Sequence, residues 1–212
     1  NGYQAELANY YFKRNGREID FHIADSKYIK QNRFCDVPLL SVDEINLNKY
    51  LSTHFFFVAI GYSKLNSVRE NIYIQLKNKG CKFTTYISEK ANIFNAQIGE
   101  NCLILENNNI QPYSKISNNV VLWSGNHIGH RTVIDDHCFI SSHCVISGFC
   151  EIGKSCFLGV NCTLEDHVKV ADDNFIGASA LIQKPTDERS FYQQKQTELS
   201  KVNTHRLFRV KE

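Results

Sequence analysis

Two histidines stand three residues apart in the segment Trp123-Ser124-Gly125-Asn126-His127-Ile128-Gly129-His130. An imidazole titrates near neutrality, so a histidine held at a site can take a proton from an attacking amine or hydroxyl. Such chemistry also needs N–H donors for the oxygen that gains charge. Metal chemistry has less support. The chain has eight cysteines but no Cys-x-x-Cys pair, so the usual structural zinc and redox motifs are missing.

The histidines must be positioned by a repeat. Cys138, Cys144, Cys150, Cys156 and Cys162 recur every six residues, and four residues before each stands Ile134, Ile140, Ile146, Ile152 or Leu158. The frame runs from Ile98 to Ile182 as fifteen consecutive aliphatic positions. A period of six is not helical. Two inward positions per six residues, the aliphatic first slot and a small fifth slot, suit short parallel strands wound round a triangular prism. At about 4.8 Å per coil the repeat makes a stub of roughly 22 Å. The fourth slot is rich in residues that tolerate a positive φ, and it holds His137, His143 and His167, which read as corner residues. His127 and His130 fall in the sixth and third slots, where that explanation does not reach.

Residues 1–90 read as a small α/β domain. Apolar spacing predicts a helix over Gln4–Arg14, a strand over Ile19–Asp25 and a helix from a Ser41/Glu44 capping box through Leu51. A buried parallel strand over Phe55–Ile60, a helix carrying Leu65, Val68, Ile72 and Leu76, and a strand over Cys81–Ile87 complete the alternation. Parallel sheets bind ligands at the carboxyl ends of their strands, which singles out Gly2, Asp25, Gly61 and Tyr62 for substrate. The chain has no methionine, and Asn1-Gly2 reads as the middle of a nucleotide-binding turn.

A small Rossmann-like α/β domain followed by an uninterrupted hexapeptide prism resembles the sugar-nucleotide N-acetyltransferases and sialic-acid O-acetyltransferases. The marks are Ala59-Ile60-Gly61-Tyr62 with Asn66 and Arg69, Tyr86-Ile87-Ser88, and Gly125 to His130. The resemblance implies a left-handed parallel β-helix over 91–184, with residues 185–212 capping it. It implies a cytoplasmic homotrimer with acetyl-CoA between neighbouring prisms and a nucleotide-linked 4-amino-4,6-dideoxy sugar as acceptor. His130 then corresponds to the general base, with His127 next in line, and the Gly148 N–H to the donor facing the thioester oxygen. Gly148, Gly159, Val160, Gly177 and Ala178 correspond to the path of the CoA arm. The family's acid after the base is replaced by Arg131, leaving Asp135, Asp136 or a neighbouring subunit to orient the ring. A second family histidine corresponds to Phe139.

Three other readings come from the same features. The prism also occurs in γ-class carbonic anhydrases, but no two histidines have their five-residue spacing, and no metal is expected. A non-catalytic scaffold and a sialic-acid O-acetyltransferase remain as alternatives. With 24 basic and 22 acidic residues, nothing points to nucleic acid, and Phe55–Ile60 is too short an apolar run to span a membrane. The polar tail from Ser190 to Asn203 is expected to pack over the open end of the prism.

Overall fold

The computed structural model describes residues 2–210. From Tyr86 onward the chain is a left-handed parallel β-helix of two-residue strands. Its first face stacks Tyr86–Ile87, Leu103–Ile104, Val121–Leu122, Phe139–Ile140, Phe157–Leu158, Phe175–Ile176 and Phe191–Tyr192. The second face runs from Asn92–Ile93 through His127–Ile128 to Leu181–Ile182, and the third from Gln97–Ile98 to Lys169–Val170. Partners in successive coils lie eighteen residues apart, as in Ile110 with Ile128 and Ile128 with Ile146. Every first-slot aliphatic from Ile104 to Ile182 is buried, and the small fifth-slot residues fill the space between them.

The corners follow the frame as expected. All fourteen fourth-slot residues from Asn101 to Ser179, His137, His143 and His167 among them, have positive φ. Glu106–Asn107, Ser124–Gly125, Ser142–His143, Val160–Asn161 and Ala178–Ser179 form the first edge, between the first and second faces. Pro112–Tyr113, His130–Arg131, Gly148–Phe149 and Asp166–His167 form the second edge, between the second and third faces. The third edge carries Asn118–Asn119, Asp136–His137 and Lys154–Ser155.

The sixth-slot residues point outward and give each face its character. On the first face Leu103, Val121, Phe139, Phe157 and Phe175 make an apolar stripe that the N-terminal region covers with Ala8, Phe12 and Phe57. The third face presents Gln97, Lys115, Glu151 and Lys169, the last two paired at 2.9 Å. The second face presents Asn109, His127, Val145, Thr163 and Leu181, with Val145 and Leu181 exposed.

The N-terminal region is α/β, but its strands are shorter than the apolar pattern predicts. Helix α1 (Tyr3–Arg14) is followed by β1 (His22–Ala24), β2 (Arg33–Phe34) and β3 (Val37–Ser41). β1 pairs with β3 in parallel and β2 with β3 antiparallel, so this sheet is mixed. β4 (Phe55–Phe56) and β5 (Lys82–Phe83), flanking α2 (Ser67–Asn78), form a separate parallel pair. The run Phe55–Ile60 leaves the sheet after Phe56 because Val58 N–H donates to Asn101 Oδ1 on the prism at 2.7 Å. Its apolarity serves packing against the prism. Cys81–Ile87 likewise divides, Tyr86–Ile87 becoming the uppermost strand of the first face. The expected helix from Ser41 does not form. Ser41 ends β3 and its Oγ accepts from Asp43 N–H, while Asn46 caps a single turn at Leu47–Lys49.

α2 is fastened to the third edge. Asn66 donates to the carbonyls of Ser155 and Cys156, and Arg69 to those of His137 and Cys138. An amide chain runs behind them. Asn101 Nδ2 donates to Asn119 Oδ1, so Asn119 Nδ2 faces His137 Nδ1 at 2.8 Å as a donor. That nitrogen must be bare, which makes His137 a neutral tautomer with Nε2 toward Glu70, 3.7 Å away. Burial lowers the His137 pKa, outweighing the attraction of Glu70 and Asp136, with Arg69 and Lys154 acting in the same sense as burial. Because the folded pKa is the lower one, the unfolded chain takes up the proton first. Stability is therefore full above the unfolded value of about 6.5 and declines as pH falls below it. His137→Asn should flatten the decline in melting temperature between about pH 7 and pH 5; an unchanged slope would refute the assignment.

The end of the chain departs from expectation. Residues up to Tyr192 add one more strand to the first face, with Gly177 N–H donating to the Tyr192 carbonyl at 2.7 Å. From Gln193 to Val210 every described residue is exposed, helix α3 (Thr204–Phe208) included.

Candidate active site

His130 projects from the second edge and His127 from the second face, both exposed. Gly148 lies one coil beyond His130. A Cβ built there would come within 2.6 Å of His130 Cε1 and 3.0 Å of both ring nitrogens, so the imidazole lies across the glycine. The structure thus brings His130 and Gly148 together. The oxyanion role expected of Gly148 is not what its backbone shows. Its N–H donates to Asp166 Oδ1 at 2.7 Å, so a carboxylate already holds the hydrogen expected for a thioester oxygen. A side chain at this position would push the His130 ring from where it lies.

The acids expected to orient His130 lie elsewhere. Asp136 accepts from Asn118 N–H on the third edge at 2.7 Å. Asp135 lines a groove of about 290 Å³ with Lys115 and Asn118 beside the third face. Both follow the Val133–Ile134 strand and so lie one face away from His130. Arg131 turns back over the Tyr113 ring at 5.0 Å.

The CoA-path candidates occupy a different edge. Val160 and Ala178 are exposed on the first edge in line with Ser124 and Ser142, so small side chains run down this corner. Gly159 and Gly177 precede them and are buried; a Cβ at Gly159 would lie 2.5 Å from Ala178 N, so coil stacking alone demands that glycine. The second face separates this edge from His130 by about five extended residues, roughly 16 Å. One chain therefore does not bring the two sets together.

The substrate candidates sort the same way. Tyr62, half exposed, packs on Phe139 and Phe157 at 5.1 and 4.6 Å, and Tyr3, next to Gly2, stacks on Trp123 at 6.5 Å. Gly2 caps α1 with extended backbone, and neither it nor Gly61 has an atom near a would-be Cβ, so both leave open space. These residues line an aromatic surface leading to the first edge. Phe139, matched to a family histidine, is buried under Tyr62 and Trp123 and presents no polar atom. Asp25 is turned onto its own loop: it accepts from Lys27 N–H and pairs with Lys27 Nζ at 2.7 Å, which lowers its pKa.

Residues that reading at a spacing of six overlooked are Phe149, His167 and Asp166, stacked with His130 on the second edge, and Glu106. Glu106 accepts from Tyr11 Oη at 2.5 Å and Ser124 Oγ at 2.9 Å, tying α1 to the first edge. Counting by eighteen would have placed Asp166 in one column with His130 and Gly148, and His167 in the next column with Phe149. The cysteines take no part. Cys144 and Cys162 touch at 3.5 Å as free thiols, and burial pushes Cys102 up to about 12. Among the described residues no group of three or more His, Cys, Asp or Glu is arranged to hold a metal ion, and no helix is long and apolar enough to cross a membrane.

Those features place the chain in a class. The family model for the bacterial transferase hexapeptide (six repeats) matches residues 113–148, the stretch containing both histidines and Gly148. The protein is a hexapeptide-repeat protein with the architecture of the hexapeptide-repeat sugar acetyltransferases. Its fold is shared with perosamine N-acetyltransferase from Caulobacter crescentus, solved as a histidine-to-asparagine mutant with CoA and GDP-perosamine. That match has a TM-score of 0.79 at 19% identity, over 90% of this chain and 89% of that one. The acetyltransferase domain of PglB from Neisseria gonorrhoeae, solved with acetyl coenzyme A, matches with a TM-score of 0.76 at 18% identity over 90% and 91%. WeeI from Acinetobacter baumannii matches at 0.51 and 16% over 90% and 91%. No curated protein matches the chain by sequence.

Proposed function

We propose that this protein is an acetyl-CoA-dependent N-acetyltransferase acting on the 4-amino group of a nucleotide-linked 4-amino-4,6-dideoxy sugar. The observation that carries this reading is an exposed histidine laid over a glycine at the edge of a prism whose fold is shared with enzymes solved with CoA and GDP-perosamine. In it, residues 1–90 hold the sugar nucleotide, 91–184 carry the transfer and 185–212 form a tail.

The separation of the two edges supports a homotrimer. Of the three faces, the first is covered by the N-terminal region and the third is charged, which leaves the second for a neighbouring copy. With three second faces turned to a common axis, the second edge of one chain meets the first edge of the next. His130 then faces the small-residue strip of Ser142, Val160 and Ala178 and the aromatic surface around Tyr62. That strip fits the extended arm of CoA, because small side chains let it lie close to the backbone. Acetyl-CoA, when bound, supplies the activated acetyl group. His130 accepts the proton that the sugar amine loses as it attacks, and the second face excludes water on assembly. The implied substrates put the reaction in the cytoplasm.

A coupled thiol-release assay with acetyl-CoA tests the reading against a panel of nucleotide-linked amino sugars, with sialic acid included for the O-acetylation alternative. Saturable turnover on a 4-amino sugar nucleotide is expected; no turnover on any acceptor would reject it. Gly148→Ala should cut turnover by about 10²-fold, since a Cβ displaces the ring by more than an ångström. Turnover within twofold of the parent would show that the ring does not need that floor.

A further inference from the structure

The residue after His130 is Arg131, so no acid adjoins the candidate base in the sequence. Among the described residues no carboxylate bonds the His130 ring: Asp136 is engaged by Asn118, Asp166 by Gly148, and Asp135 lies beside the third face. What touches the imidazole is carbon. Its ring meets Phe149 at 4.9 Å between centroids and 80° between planes, and Gly148 forms its floor. Phe149 is braced from the far side by His167, whose ring is parallel to it at 4.7 Å and 6°. The charge of Arg131 is drawn away over Tyr113 at 5.0 Å.

Phe149 is an unfavourable choice for the fold alone. Its φ is 57°, in the left-handed region, where a bulky side chain is strained. The same slot elsewhere holds Asn101, Asn107, Asn119 and Asn161, the residue type that tolerates this backbone best, and also Tyr113, whose ring carries the Arg131 guanidinium. Within the single chain burial compensates only in part, since Phe149 remains 40% exposed there. Its ring does one thing that asparagine would not, which is to wall the imidazole.

We propose that Phe149, braced by His167, is the positioning residue for His130 and takes the place of the missing carboxylate. The proposal rests on the reading of His130 as the general base. An aromatic wall against a glycine floor restricts the ring to one rotamer without adding a negative charge beside it. An acid would supply both orientation and charge.

The test is Phe149→Asn, with Phe149→Tyr as the conservative partner. Asparagine suits the corner, so the melting temperature should hold or rise while kcat falls about 10–100-fold, with KM for acetyl-CoA changed less than threefold. Tyrosine should restore kcat to within a few-fold. Independently of activity, the His130 Cε1–H resonance should carry a ring-current shift in the parent that Phe149→Asn removes. Unchanged kcat in an active, folded Phe149→Asn protein would overturn the proposal, as would an unmoved His130 resonance. A parent chain that acetylates no acceptor overturns the functional reading and the proposal with it. In that case a shifted resonance would show only that the wall packs as described.

Discussion

His130→Asn is expected to lower turnover by about 10²–10⁴-fold, the usual worth of a positioned general base. The residue is exposed on the second edge, no hydrogen bond among the described residues fixes its ring, and its main contacts are the Gly148 floor and the Phe149 wall. Asparagine keeps a polar group of similar reach but cannot accept a proton. Stability should be little changed, because every inward position of the coil is untouched. Steady-state thiol release, with the oligomeric state checked by light scattering, decides the matter. Near-parental turnover from a protein of unchanged oligomeric state would pass the role to His127, which projects from the adjoining face.

Arg69→Ala should destabilise the protein by about 2–4 kcal/mol, because two buried carbonyls lose a charged donor. Arg69 is fully buried and its Nη2 donates to His137 O at 2.6 Å and Cys138 O at 3.0 Å, with the guanidinium 5.8 Å from the Phe139 ring. Burial lowers its pKa to about 10, which still leaves it charged at neutral pH. Arg69→Lys should rescue only in part, since both bonds come from Nη2 alone and an ammonium must reach that same point on a more flexible stem. The denaturant midpoint is the readout. A midpoint equal to the parent's would mean that Asn66 and the apolar contacts hold α2 to the prism without the Arg69 bonds.

The prism was legible because every coil repeats the same physical demand. An aliphatic from Ile98 to Ile182 points inward every six residues, and each corner needs a positive φ. Such local requirements leave a periodic trace. The site was legible only in part. His130 stood out because its slot does not explain it, but its surroundings belong to other coils, eighteen and thirty-six residues on at Gly148 and Asp166. Asp136 is close in sequence and a face away in space.

The N-terminal region was harder to read because its apolar residues serve two masters. Phe55 to Ile60 has the composition of a buried strand, yet only Phe55–Phe56 pairs, and Phe57 packs on Phe12 under the prism's apolar stripe. A linear pattern registers that a residue is apolar and says nothing of which neighbour covers it. Asp25 stood at a promising offset from Gly2, but the adjacent Lys27 neutralises it locally.

The triangular register also governs how such a protein can change length. Each face recurs only every third hexapeptide, as the pairing of Ile128 with Ile110 and Ile146 shows. Loss or gain of a single hexapeptide would keep the core sealed, yet turn everything beyond it by a third of a revolution. The phenylalanines would then meet water, and the histidine edge would leave its partner. Viable insertions and deletions should therefore arrive as whole coils, and a library of hexapeptide deletions would show folding and activity separating at every step that is not a multiple of three.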